Sequence, residues 1–157
     1  MKLNNLLDEK LDINSGMVGF DKNIPALTKY LSDEYKKILF LKKEHDVKKI
    51  NLYPYNCLVV DLEETKISES DIIYLRNMNT KFNIPIFFLN VDSQSNSLYD
   101  IKVINHCSSV FKVTEYFSLN GCFVLLDPIK MRGSTTMFYI RMFIEDDLFK
   151  FKMYKEI

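Results

Sequence analysis

The clearest pattern in the chain is a strand, a helix and a second strand between residues 55 and 90. The run YNCLVVDLEET (55–65) is continuously apolar before it ends in acids, and IPIFFLN (84–90) is a second apolar run. Between them, SESDIIYLRNMNTKF (68–82) opens with a Ser/Asp cap and repeats apolar residues at helical spacing. Two wholly apolar strands joined by a helix predict a βαβ unit in a parallel sheet that is covered on both faces.

The part of the chain before this unit is less regular. Leucines at helical spacing predict a short helix over residues 3–11, and INSGMVGFD (13–21), with Gly16 and Gly19, is interpreted as a loop. IPALTKYLSDEYKK (24–37) predicts a helix with Pro25 near its first turn. KILFL (37–41) predicts a short buried strand, and KKEHDVKK (42–49) a solvated connection or helix turn.

The last third of the chain changes character. LYDIKVINHCS (98–108) has a mixed pattern, and SVFKVTEYF (109–117) is strand-like. Three further strands are predicted within residues 120–133, 134–146 and 147–157, with little helix between them. The fold class that follows is a single α/β domain over residues 1–157. It has a mainly parallel central sheet flanked by helices and a C-terminal antiparallel β-hairpin extension.

Composition narrows the choice of partners and compartment. The 157 residues include 21 basic and 21 acidic side chains, so no global field attracts nucleic acid or an anionic membrane, although a local basic patch is compatible with this balance. The longest apolar runs are too short to span a bilayer, so no membrane association is expected. Cys57, Cys107 and Cys122 form no CxxC pair and lie in apolar runs. They predict reduced, buried thiols and a cytoplasmic protein, or a nuclear one in a eukaryote.

The order of elements from about residue 50 to 157 resembles the second half of a RecA-type ATPase core, especially the DnaB-type helicase, KaiC-like and recombinase-paralogue branches. LVVDLEE offers Asp61 at the position of the Walker B aspartate, with Glu63 beside it, and NIPIFFLN places Asn90 at the position of a polar sensor residue. CSSVFKV and IKMRGSTTMFYIRMFIEDDLFKF resemble the strand that follows and the final K-x-R element with its terminal hairpin. The resemblance implies a trimmed RecA-like fold.

The chain departs from that family at the phosphate loop. A RecA-type ATPase needs G-x-x-x-x-G-K-[ST], whose backbone N–H groups cradle the phosphates. The chain has four glycines, and none precedes a Lys-Ser or Lys-Thr pair. We therefore expect no nucleotide or other cofactor, no catalytic residues and no enzymatic activity, which describes a pseudo-ATPase.

Lys130 and Arg132 form the K-x-R element. The resemblance implies that these cations reach across a subunit boundary toward a phosphate held by a neighbour. The alternative is a solvated turn whose two cations happen to flank a methionine.

The acids at the end of the first apolar strand have two interpretations beyond the resemblance. Asp61 and Glu63, with Glu64 and Lys66, suggest a metal-dependent nuclease, although no further acid from a separate strand can be placed beside them. An acidic strand end that leads into a helix N-terminus is the favoured explanation, because acids complement the helix dipole there. His45 and His106 show no spacing that indicates a metal site.

The terminal strands carry cations among aromatic residues. Arg141, Lys150 and Lys152 are therefore possible contacts to nucleic acid, with core packing as the alternative explanation of the aromatic residues.

The leading hypothesis is a non-catalytic accessory protein of DNA replication or recombination. It would bind a RecA-type ATPase, either a helicase or a recombinase, or a second copy of itself, and modulate assembly or DNA binding. The alternatives are a small interaction protein of the immunity, inhibitor or receiver-like type and, less favoured, the nuclease.

Overall fold

The computed structural model describes residues 17–43, 46–92, 98–118, 121–131, 138–145 and 148–155. Within them the chain alternates strands and helices at first and then continues as strands alone. The strands are β1 (Met17–Phe20), β2 (Ile38–Leu41), β3 (Cys57–Asp61), β4 (Ile86–Leu89), β5 (Cys107–Ser118), β6 (Gly121–Met131), β7 (Phe138–Glu145) and β8 (Leu148–Lys155). The helices are α1 (Pro25–Glu34), α2 (Glu69–Phe82) and α3 (Leu98–His106), and Val47–Lys49 form a 3₁₀ turn.

These eight strands form one sheet in the order β2-β3-β4-β1-β5-β6-β7-β8. The pairs from β2 to β5 are parallel, and those from β5 to β8 are antiparallel. The predicted α/β fold class, a mainly parallel sheet flanked by helices with an antiparallel extension at the C-terminal end, is confirmed. The receiver-like alternative is wrong, because receiver domains have the strand order 2-1-3-4-5.

Strands β3 and β4 are buried on both faces, as their unbroken apolar runs predict, and so is β1. On one face, Leu58, Ile86 and Phe88 belong to a buried cluster that includes Ile72 and Leu75 of α2 and Val103 of α3. On the other, the ring of Phe20 stacks on those of Phe87 and Phe111, each 6.0 Å away between centroids. Tyr35, at the C-terminal end of α1, packs on this second face with its ring 5.9 Å from that of Phe87. Helices α2 and α3 thus lie against one face of the parallel sheet and the end of α1 against the other.

One prediction from pattern is wrong, and one stretch of mixed pattern is now assigned. INSGMVGFD does not form a loop throughout, because Met17–Phe20 is the central strand β1. Gly19 lies inside that strand, and a Cβ added there would come within 3.2 Å of a methyl group of Val91. The glycine therefore provides close packing rather than a turn. The mixed stretch after residue 97 begins with the helix α3, which buries Val103.

The remaining predicted helices and strands are present wherever the structure describes them, but KILFL is not wholly buried, because 38% of the Phe40 side chain is exposed. Helix α1 starts at Pro25 as expected, and α2 has a capping box formed by Ser68 and Asp71. Cys57 and Cys107 are buried and unbridged, and burial raises the pKa of the Cys107 thiol to about 12. The leucine-rich segment 3–11, Gly16 and His45 lie outside the described residues. None of the described helices has the length and apolar character needed to cross a membrane.

Candidate functional site

Asp61 and Asn90 lie side by side at the carboxyl edge of the parallel sheet. Asp61 ends β3 and is paired in register with Leu89 of β4, so the residue after Leu89 comes next to it. The side-chain amide of Asn90 donates a hydrogen bond to Asp61 Oδ1 over 2.7 Å. The two residues that the sequence assigned to the Walker B-like and sensor-like positions are thus brought together.

The backbone of Asn90 is held in the left-handed region, with φ of 59°. Asparagine tolerates this conformation better than other residues with a Cβ. The left-handed turn lets the chain leave β4 while the Asn90 side chain remains directed at Asp61.

Asn23 connects this pair to the end of the central strand. It lies in the four-residue link between Phe20, the last residue of β1, and Pro25, the first of α1. Its backbone N–H donates to Asn90 Oδ1 over 3.0 Å, and its side-chain amide donates to Asp61 Oδ2 over 3.4 Å. The hydroxyl of Thr28 donates to Asn23 Oδ1 over 2.5 Å. We refer to Asn23, Thr28, Asp61 and Asn90 as the asparagine brace.

Sequence reasoning did not find Asn23 because it took the preceding strand for a loop. Had Met17–Phe20 been recognised as a strand, a polar residue three positions after it would have been expected at the carboxyl edge. There it meets Asp61 and Asn90, since β1 is the neighbour of β4 and β4 of β3.

The carboxylate of Asp61 is largely occupied by donors from the protein itself. Oδ1 accepts from the Asn90 amide and from the backbone N–H of Glu63 over 3.0 Å, and Oδ2 accepts from Asn23. A carboxylate offers about four acceptor positions, so three of them are used here. The arrangement suits a structural carboxylate that ties three segments of chain together.

Although its backbone N–H binds Asp61, the side chain of Glu63 does not belong to this cluster. Its side chain is exposed and, with Lys42, Lys43, Glu64 and Thr65, lines an open depression of about 500 Å³ beside the end of β2. Among the residues that the structure describes, no group of three or more His, Cys, Asp or Glu side chains is placed to hold a metal ion.

Lys130 lies away from the brace. Strand β6 is antiparallel to β5, and Met131 is paired with Ser109, so the end of β6 lies beside the beginning of β5. The ammonium group of Lys130 donates to the carbonyl oxygens of Ile104 and Asn105, over 3.0 and 3.1 Å, in the last turn of α3. Arg132, the other K-x-R cation, lies outside the described residues.

The three cations predicted to contact nucleic acid lie on the last two strands. Arg141 of β7 is paired directly with Lys152 of β8, and Lys150 is paired with Phe143. The register thus brings Arg141 and Lys152 to adjacent positions, at the end of the sheet away from β3 and Asp61.

Two solved structures share this fold over most of the chain. The flagellar accessory protein FlaH from Methanocaldococcus jannaschii is 9% identical with a TM-score of 0.54, and the match covers 97% of this chain and 95% of that chain. The RadB recombinase is 14% identical with a TM-score of 0.53, over 90% of this chain and 94% of that chain. No family model and no curated protein matches the sequence. Together with the mainly parallel sheet, the two structures show that this chain has a RecA-like fold.

Proposed function

We propose that this chain is a RecA-like accessory protein without nucleotide hydrolysis. In this proposal it binds a RecA-type ATPase, such as a helicase or a recombinase, or a second copy of itself, and modulates assembly or DNA binding. The observation that carries the proposal is the asparagine brace, which lies where the strand, the phosphate loop and the helix of an ATPase would meet.

The length of the link between β1 and α1 is the first support. Only Asp21, Lys22, Asn23 and Ile24 connect the strand to the helix, and none of them is glycine. A phosphate loop is eight residues long in the pattern G-x-x-x-x-G-K-[ST], and its glycines allow successive N–H groups to converge on a phosphate. A link of four non-glycine residues is too short for such a cradle.

The second support is that Asn23, in the link between β1 and α1, is already bonded to Asn90 and Asp61. The N–H and amide groups of Asn23 bind Asn90 and Asp61, which the resemblance assigns to sensing and to the metal. A nucleotide and its metal would have to displace Asn23 from both partners. The brace therefore favours a scaffold over a nucleotide site.

Nucleotide binding can be tested by thermal unfolding. A ligand present at about 100 times its Kd stabilises a protein by about 2.7 kcal/mol, which raises the Tm of a chain of this size by several degrees. We expect no change in Tm with MgATP or MgADP at millimolar concentration, with an intact RecA-type ATPase as the positive control. A rise of several degrees that Asp61→Ala abolishes would overturn the non-catalytic part of the proposal.

Partner binding needs a separate experiment. The chain is added to a RecA-type helicase or recombinase from the same genome, and the ATPase rate and assembly size of that enzyme are measured. We expect a changed rate or size, and loss of the effect in Arg132→Ala but not in Lys112→Ala, an exposed lysine of β5. Unchanged rate and size with every such enzyme of that genome, and no self-association, would refute the accessory role.

DNA contact through the terminal strands is part of the same proposal. Replacing Arg141 and Lys152, which are paired in register, is expected to weaken single-stranded DNA binding about equally for all sequences. It is also expected to lower the salt dependence of the binding constant. Fluorescence anisotropy over a salt series measures both, and unchanged binding in the double variant would remove these residues from the DNA surface.

A further inference from the structure

Strand β2 ends the described sheet. It is paired with β3 on one side, and no described strand lies on its other side. A pair of lysines flanks the strand ILFL at each end, Lys36-Lys37 before it and Lys42-Lys43 after it.

The hydrogen bonds around β3 identify which backbone groups of β2 face outward. The N–H of Leu58 donates to Pro85 beside β4, so the N–H groups of its neighbours in β3 point toward β2. The carbonyl of Lys37 accepts from the N–H of Asn56 over 2.7 Å, and that of Leu41 accepts from the Thr65 hydroxyl over 3.2 Å.

Backbone N–H and C=O groups point alternately to the two sides of a strand. The backbone groups of residues 37, 39 and 41 therefore face β3, and the backbone groups of Ile38 and Phe40 face the open edge. Two N–H and two C=O groups are thus directed away from the sheet, and 38% of the Phe40 side chain is exposed beside them. Such groups are a template for a further strand.

The lysines determine which strand can use this template. All four are exposed. A second copy of β2 would place lysines against lysines in either the parallel or the antiparallel orientation, which disfavours self-pairing. The charge is not symmetrical, because Glu63 and Glu64 line the depression that Lys42 and Lys43 share, and they partly offset the second pair. Lys36 and Lys37 therefore dominate the positive field at this edge.

We propose that the open edge of β2 binds an extended segment of a partner protein, which adds to the sheet as a further strand. The segment has about four residues of strand-forming character and acidic residues at both ends. The backbone groups of Ile38 and Phe40 supply the hydrogen bonds, and the lysine pairs select the acidic flanks. This inference does not depend on the asparagine brace or on the absence of nucleotide.

The probe is a labelled peptide, Asp-Glu-Val-Thr-Val-Thr-Glu-Asp, compared with one that has lysine at the four acidic positions. Fluorescence anisotropy with the full chain is expected to show saturable binding of the acidic peptide alone. Its affinity should fall at least about fivefold when the salt is raised from about 50 to about 300 mM, because the flanking contacts are exposed.

Phe40→Pro tests the geometry. Proline removes the outward N–H of residue 40 and leaves the bonds to β3, a substitution that edge strands tolerate. Binding of the acidic peptide is expected to fall at least about tenfold, while Phe40→Val, which keeps the N–H, is expected to stay within about threefold of wild type. Circular dichroism checks that both variants are folded.

Charge reversal tests the flanks without relying on the proline variant. Lys36→Glu with Lys37→Glu is expected to abolish binding of the acidic peptide and to create binding of the lysine peptide. Lys42→Glu with Lys43→Glu should have the smaller effect, because Glu63 and Glu64 already offset that pair. Three results would each overturn the proposal: no binding of the acidic peptide to wild type, equal binding of both peptides, or undiminished binding by Phe40→Pro. Self-association of the wild type that displaces the peptide would assign the edge to a second copy and would also overturn it.

Discussion

At the scale of single residues, Asn90 has two roles that substitution can separate. Its side chain bonds Asp61 and Asn23, and its backbone is in the left-handed region. Asn90→Gly removes only the side-chain bonds and is expected to cost about 1–2 kcal/mol of unfolding free energy. Asn90→Ala also places a Cβ in a disfavoured conformation and should cost about 1 kcal/mol more. Urea unfolding measures both.

Asn83 provides the matched control for this comparison. It has φ of 54° as the C-terminal cap of α2, and its side chain is exposed. Asn83→Gly should therefore be nearly neutral, while Asn83→Ala should cost about 1 kcal/mol. If both Asn90 variants were as stable as wild type, the asparagine brace would not contribute to the folded state.

At the scale of elements, Lys130 joins β6 to the end of α3. Its ammonium group binds two carbonyls in the last turn of that helix, where the helix dipole also stabilises a positive charge. We expect Lys130→Met to lower the unfolding free energy by about 1 kcal/mol, with Lys112→Met as the exposed control on β5. An unchanged urea unfolding midpoint in Lys130→Met would show that these hydrogen bonds to the end of α3 do not stabilise the fold.

The same prediction bears on the K-x-R element. If Lys130 is needed as a helix cap, a loss of partner binding in Lys130→Ala reports destabilisation as well as contact. Arg132→Ala is therefore the variant that tests the trans-acting role, and the unfolding midpoint of each variant has to accompany the binding measurement.

A second link between elements is sensitive to pH. Glu69 in the first turn of α2 accepts from Lys102 of α3 over 2.7 Å, and His106 lies 3.8 Å away. The hydrogen bond from Lys102 is the main reason why the pKa of Glu69 is lowered, and desolvation opposes it. A lowered folded-state pKa means stability that is present above the unfolded value and lost as the pH falls through the folded one.

The stability difference between wild type and Glu69→Gln should therefore be present at pH 7, begin to fall below the unfolded pKa of about 4.3 and shrink further as the pH passes through the lowered folded one. Urea midpoints from pH 7 to pH 3 measure it, and Glu63→Gln, another exposed acid, controls for the general effect of acid. A difference that persists unchanged to pH 3 would show that the contact does not act through charge.

At the scale of the whole molecule, the sequence predicted most strands of the sheet but not the contacts between distant parts of the chain. The apolar runs of β3 and β4 and the cap of α2 are local signals, so those elements followed from pattern. Asp61 and Asn90 were singled out separately through the resemblance, and their contact is a finding of the structure. The central strand β1 was missed because Met17–Phe20 is short and contains Gly19. A glycine is needed there because Val91 leaves little room for a side chain. Asn23 and the Lys130 cap depend on contacts distant in sequence, which hydrophobic periodicity does not reveal.

The single sheet also implies that the parallel and antiparallel parts unfold together. Leu75 of α2 is buried against the parallel part, and Leu126 of β6 is buried and paired with Val113 in the antiparallel part. Because β5 belongs to both parts, Leu75→Ala and Leu126→Ala are each expected to lower the stability of the whole chain, by about 2–4 kcal/mol. Far-ultraviolet circular dichroism and tyrosine fluorescence should then give one coincident urea transition for wild type and for both variants. If Leu126→Ala instead separated an early transition from a late one of wild-type midpoint, the terminal strands would be a unit of their own. The single-domain prediction for residues 1–157 would then be wrong.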